Sequence, residues 1–165
     1  MEKFADQYSY FSSGDLFRAL TSTDNAIGNY LTDRLASGKL IDDKVTNALF
    51  EVYFYTVLDE QKAMLLDGYP RNLQQLEWLL NLCREHKISM TAIRFVLPEE
   101  IAIERMKGRG RNDDVDESIQ KRLTRYYEIV EPMIERCSQV MEVIDVDATP
   151  DVVTIHQEVM KIVSA

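Results

Sequence analysis

The feature that most constrains this chain is an alternation of short apolar runs with longer amphipathic stretches. The runs are Tyr8-Ser9-Tyr10-Phe11, Ala63-Met64-Leu65-Leu66, Ile93-Arg94-Phe95-Val96-Leu97 and residues 140–146. Each has the length of a strand, and helical spacing of apolar residues follows. Helices are expected over 16–22 and 26–36, from Asp42-Asp43 onward, over 73–86, from Pro98 onward, and over 151–163. Ser37-Gly38 reads as a C-terminal cap, and Asp42-Asp43 places acids where a helix dipole favours them. Val45, Ala48, Leu49, Val52 and Phe54 mark one face of that third helix; Leu76, Leu79, Leu80 and Cys83 mark the next. Ile119, Leu123, Tyr126, Val130, Met133 and Cys137 trace a long helix expected to kink at Pro132, which has no N–H to give. Strands alternating with helices predict an α/β fold: a parallel sheet of βαβ units with helices on both faces. At 165 residues one domain is expected. Ligands of such sheets bind beyond the C-terminal strand ends, so the turns at 12–18, 67–71 and near Asp147 are where chemistry belongs.

Charge narrows the function. The net charge is −9, the wrong sign for bulk attraction to nucleic acid or anionic lipid, so neither is an expected partner. Residues 105–125 nevertheless hold seven of the 19 cations against four acids, a local +3. That island is either a solvated helix face or a local anion site. No apolar run approaches the ~18–20 residues of a membrane helix. Met1-Glu2-Lys3-Phe4 does not open a signal peptide, and a cytoplasmic protein is expected. Cys83 and Cys137 stand alone, and His86 and His156 are far apart, so no direct protein metal site is expected.

Three segments carry chemistry. Ser12-Ser13-Gly14-Asp15-Leu16-Phe17-Arg18 places a hydroxyl, a glycine and a cation around a helix start. It reads either as an ordinary N-cap or as an anion site. In Asp67-Gly68-Tyr69-Pro70-Arg71 an acid ends a strand, and Gly and Pro shape a turn that projects Arg71 from a fixed backbone. A guanidinium there holds a phosphate through two parallel hydrogen bonds, which lysine cannot match. In Arg109-Gly110-Arg111-Asn112-Asp113-Asp114 two arginines flank a glycine, and Arg105 stands about one helical turn earlier. Fixed cations without a nucleophile or an acid–base pair suit phosphoryl transfer, where positioning and charge stabilisation dominate.

These segments, together with Ala36-Ser37-Gly38-Lys39-Leu40-Ile41, occur in an order and spacing that resemble adenylate kinase, a nucleoside monophosphate kinase. The likeness runs from about Glu2 to the C-terminus. It implies a P-loop-NTPase-like sheet, transfer of a phosphoryl group from ATP to AMP to give two ADP, and Mg2+ carried in with ATP. Residue by residue, Ser13 falls near the AMP base, where the family usually has threonine. Arg18 and Arg71 fall on the AMP phosphate, with Gly68, Tyr69 and Pro70 as their turn. Lys39, Leu40 and Ile41 wall the base, and Gln75 falls where the family reads adenine. Arg105, Arg109 and Pro150 resemble ATP-side residues. Arg111 and Arg122 resemble arginines that bridge the transferring phosphoryl and the AMP phosphate, and Asp67 an acid near the magnesium water shell. By the same likeness the AMP-binding segment spans about 13–45, and a short lid without zinc cysteines spans about 109–114.

One part of the family pattern is not found. The first, central strand and the Gly-rich phosphate loop that ends in lysine are expected to be absent from this chain; Ser37-Gly38-Lys39-Leu40 does not supply a GxxxxGK[ST] run. The expectation is a kinase inactive as these residues alone, and monomeric unless another chain supplies the strand. The alternatives are a catalytically retired AMP sensor and a helical partner-binding protein. The basic island and the Gly-Tyr-Pro-Arg turn argue against the last.

Overall fold

The computed structural model describes residues 8–36, 41–59, 62–108 and 116–164. Lys39, Leu40, Arg109 and Arg111 of the expected site lie outside them, as do the expected cap at Ser37-Gly38 and the expected lid at 109–114. Among the described residues the chain forms four strands and eight α-helices in two compact units, 1–79 and 80–165.

In the first unit β1 (Tyr8–Ser12) pairs in parallel with β2 (Ala63–Asp67), in a register from Tyr8 opposite Ala63 to Ser12 opposite Asp67. Between them come α1 (Ser13–Thr21), α2 (Ala26–Ala36) and α3 (Asp43–Asp59), and α4 (Leu73–Glu85) follows β2. Helix α1 begins three residues before the expected position, because Ser12 ends the strand and caps the helix at once. Its hydroxyl accepts from the Asp15 N–H at 3.3 Å. Residues 13–18 are therefore the first turns of a helix rather than an open turn. Asn25 caps α2 by accepting from the N–H groups of Ile27 and Gly28 at 3.0 and 2.9 Å. The α1–α2 corner needs a glycine: a Cβ on Gly28 would lie 2.1 Å from the Thr23 carbonyl oxygen and 2.7 Å from that of Leu20.

The core of this unit is aromatic. Phe11 of β1 meets Phe50 edge-on at 5.1 Å, Phe50 stacks on Tyr69 at 4.7 Å, and Trp78 of α4 meets Phe50 edge-on at 6.3 Å. Offset and edge-to-face contacts of this kind add to the burial of large rings. The buried face of α3 is Thr46, Phe50, Phe54 and Val57, whereas Val52 is 69% exposed. Of the expected face Phe54 is buried and Val45 and Leu49 are half-buried, but Ala48 and Val52 are exposed, because the Phe50 and Phe54 rings, four residues apart, take the inner stripe.

In the second unit β3 (Thr91–Val96) pairs in parallel with β4 (Glu142–Asp147), from Thr91 opposite Glu142 to Val96 opposite Asp147. Helices α5 (Glu99–Gly108) and α6 (Asp116–Arg125), a π-helical turn at Tyr126–Val130, and α7 (Glu131–Val140) lie between these strands. Helix α8 (Val152–Val163) follows, and both α7 and α8 pack on β4. A π-helical turn, Tyr126–Val130, stands just before Pro132, where a kink is expected. Proline donates no bond to the carbonyl four residues earlier, and the wider turn relieves the crowding. Arg94 and Asp145, directly opposite in the ladder, form a forked ion pair; the Nε bond is 2.7 Å, and an Nη2 bond lies beside it.

The parallel α/β character is as expected. The strands form two separate pairs, with no ladder from β2 or β3 to a third strand among the described residues. None of the described helices is long and apolar enough to cross a membrane.

Candidate functional site

In the first unit the site is built on the C-terminal ends of β1 and β2. Gly68 follows β2 with φ +69°, a left-handed conformation that disfavours a side chain. A Cβ there would also lie 2.8 Å from the Ser13 hydroxyl and 2.9 Å from an Arg71 Nη. The Gly68 carbonyl is therefore free to be shared. It accepts from the Ser13 hydroxyl at 2.6 Å and from the Arg71 Nε at 2.6 Å. Ser13 is 1% exposed and Arg71 is exposed, so one buried hydroxyl and one surface cation are held by the same atom. The Tyr69–Pro70 peptide is cis, and the buried Tyr69 donates to the Asn47 side-chain oxygen at 2.8 Å.

Arg18 comes from the last turn of α1. It lies over Gly14, whose absent Cβ would stand 3.3 Å from an Arg18 nitrogen, and it pairs with Asp15 at 2.5 Å. This hydrogen-bonded guanidinium holds the Asp15 carboxyl below its ordinary range. Asp67, the last residue of β2, accepts from the Tyr10 phenol at 2.9 Å, and that bond pushes the Tyr10 pKa up.

Behind the turn lies a polar network. The Arg71 N–H donates to Gln75 Oε1 at 2.7 Å, and Gln75 Nε2 donates to the Asp43 carboxylate at 2.7 Å. Asn72 Nδ2 reaches the same carboxylate at 3.1 Å, while its Oδ1 caps α4 by accepting from the Gln75 N–H at 2.8 Å. Gln75 is 4% exposed, and Ile41 is half-buried just before α3. Of this network the sequence pointed to Arg71 and Gln75. It did not single out Asn47 or Asn72, and it offered Asp43 only as a helix-start acid.

In the second unit Arg105 of α5 donates to three successive carbonyls of the β4–α8 loop. These are Ala148 at 2.6 Å, Thr149 at 2.9 Å and Pro150 at 3.0 Å. Arg105 and Pro150, both expected on the ATP side, are thus brought together. Ile101, Glu104 and Gly108 line a hollow beside Arg105. Asp147 closes the same loop by accepting from the Thr149 N–H at 2.8 Å, and that bond holds its carboxyl low. Arg122 is half-buried on α6. Among the described residues no group of three or more His, Cys, Asp or Glu stands close enough to hold a metal ion.

The comparisons with known proteins agree on one family. The adenylate kinase family model matches residues 1–141. An adenylate kinase of Nocardia farcinica is 31% identical over 153 residues, 92% of this chain and 83% of that protein. Adenylate kinases of Mycobacteroides abscessus and Corynebacterium urealyticum are each 34% identical; they cover 85% and 76% of this chain and 77% and 70% of their own lengths. A family match over most of the chain, with a parallel α/β fold, leaves one conclusion: the chain belongs to the adenylate kinase family of nucleoside monophosphate kinases.

Proposed function

We propose that the first unit binds AMP and presents its phosphate as the acceptor in the transfer ATP + AMP to 2 ADP. The observation that carries this reading is the shared Gly68 carbonyl, which fixes Arg71 against Ser13 at the start of α1, the helix that also carries Arg18. On this reading Arg18 and Arg71 hold the AMP phosphate, and Ser13 sits near the base. Lys39, Leu40 and Ile41 wall the adenine and Gln75 reads it. Arg105, Arg109 and Pro150 serve the ATP adenine side, and Arg111 and Arg122 neutralise charge on the transferring group. Little covalent chemistry is asked of the protein, because phosphoryl transfer is catalysed mainly by positioning and by cations.

Mg2+ fits this arrangement as an ion that arrives on the nucleotide. Asp67 is an exposed strand-end carboxylate able to accept from a metal-bound water, and an ion that keeps several waters needs no full cage of protein ligands. When bound, it neutralises the phosphate charge.

A second reading, an AMP-responsive binding module, is favoured by one observation: no GxxxxGK[ST] run occurs in the 165 residues. Such a loop would cradle the β- and γ-phosphates. On either reading AMP binds; ADP forms only on the kinase reading. Titration calorimetry with AMP, followed by an ADP-formation assay with ATP, AMP and Mg2+, tests both. Absence of AMP binding sinks both readings. ADP formation that disappears in Arg71→Ala selects the complete enzyme over the binding module.

A further inference from the structure

We infer that Asp43 is a specificity-determining positioning residue, which locks the Gln75 carboxamide in the one orientation that accepts adenine and refuses a 6-oxopurine. The inference rests on the AMP reading above. A glutamine amide has two ends of similar shape and opposite bonding sense, oxygen accepting and nitrogen donating. Left alone, it flips to suit either kind of partner. Gln75 is not left alone. Its oxygen faces the Arg71 N–H at 2.7 Å, a group that only donates. Its nitrogen faces the Asp43 carboxylate at 2.7 Å, a group that as an anion only accepts. A flip would set N–H against N–H and oxygen against oxygen inside a residue that is 4% exposed, and unmade bonds at buried polar groups are costly.

Asp43 is itself held. Asn72 Nδ2 donates to both of its oxygens at 3.1 Å, and Asn72 cannot flip because its own oxygen accepts the Gln75 backbone N–H at 2.8 Å. Asp43 begins α3 while Asn72 and Gln75 begin α4, so the lock spans the starts of two helices.

Each end of Gln75 has used one of its two bonding positions among the described residues, which leaves one donor and one acceptor in fixed order. Adenine offers an acceptor at N1 and a donor at the 6-amino group. Hypoxanthine and guanine reverse both, with a donor at N1 and an acceptor at O6. With the amide fixed, adenine meets two complementary groups and a 6-oxopurine meets two mismatches. With the amide free to turn, both fit.

The test measures AMP and IMP affinities by calorimetry on the full chain and on Asp43→Asn, which keeps the shape but can donate as well as accept. The unaltered chain is expected to prefer AMP, and Asp43→Asn to lose about tenfold or more of that preference, the size of one reversed bidentate contact. Asp43→Glu, which restores an acceptor-only group, is expected to recover part of it. A merely structural role would weaken both nucleotides alike and leave the ratio unmoved; that result overturns the inference while the AMP reading stands. Failure of the unaltered chain to bind AMP overturns both. Should Asp43→Asn not fold, side-chain amide hydrogen exchange in the unaltered chain decides. Gln75 is expected to exchange far more slowly than the exposed Gln74, and equal rates overturn the lock.

Discussion

The Ser13 hydroxyl donates to the Gly68 carbonyl at 2.6 Å, and the two residues stand 55 positions apart in the chain. The bond crosses from the start of α1 to the turn after β2, and Arg71 shares its acceptor. Ser13→Ala removes one of two donors from that carbonyl. A stability loss of about 0.5–1.5 kcal/mol is expected, measured by urea unfolding. AMP affinity should fall as well, because the Arg71 turn loses its brace. Ser13→Thr should retain both; equal losses in Thr and Ala variants would mean that packing, not the hydroxyl, matters at this position.

Arg71→Lys keeps the charge and loses the fork. Nε is committed to Gly68, so a bound phosphate would meet the two Nη groups, which a single ammonium cannot reproduce. AMP affinity should drop by about 1.5–3 kcal/mol in calorimetry, nearly as much as for Arg71→Ala. Lysine restoring full affinity would remove bidentate recognition from the mechanism.

Phe50 is 1% exposed and touches Phe11, Tyr53, Phe54, Tyr69 and Trp78. Phe50→Ala should destabilise the chain by about 3–5 kcal/mol, the usual loss for an aromatic core truncation. Denaturant titration measures this. A loss below about 1.5 kcal/mol, the range of a well-tolerated core swap, would show that the cluster repacks.

Asp151 caps α8 by accepting from the N–H groups of Val153 and Thr154 at 2.9 and 3.1 Å and from the Thr154 hydroxyl at 3.0 Å. The Thr154 backbone bond, first among these, holds its carboxyl below the ordinary value. The folded chain therefore binds fewer protons here than the unfolded one. The stability this lends is complete above the unfolded pKa of about 3.9 and is lost as pH falls through the lower folded value. Asp151→Asn keeps a capping side chain without a titrating group. Its urea midpoint should fall less than the parent's on acidification from about pH 5 to pH 2. Parallel curves would place the acid sensitivity elsewhere, with the Arg94-paired Asp145 next to test.

Periodicity carried the fold a long way. It located every strand among the described residues to within two residues or so, because each apolar run is short and bounded by polar or turn-forming residues. It placed the inner face of α3 only in part, since Val52 and Phe54 look equally apolar in a list of letters and only ring packing separates them. The arginines were visible as motifs, and so was the Gly68 turn. Their supports were not. Asp43 reaches Gln75 across 32 residues and Asn47 reaches Tyr69 across 22, distances at which a single sequence holds no pairing signal. The three carbonyls under Arg105 carry no letter at all, being backbone atoms of Ala148, Thr149 and Pro150.

The two parallel ladders have a kinetic consequence. Tyr8 pairs with Ala63 and Thr91 with Glu142, so neither ladder forms until a crossover holding several helices has closed. Closing so long a loop is entropically unfavourable before any strand contact rewards it, which places strand pairing late in folding. The junction at Gly68 sits at the far end of the first ladder. A ligand held there would require the first ladder already paired, so its binding would report that the late, non-local step of the first unit is complete.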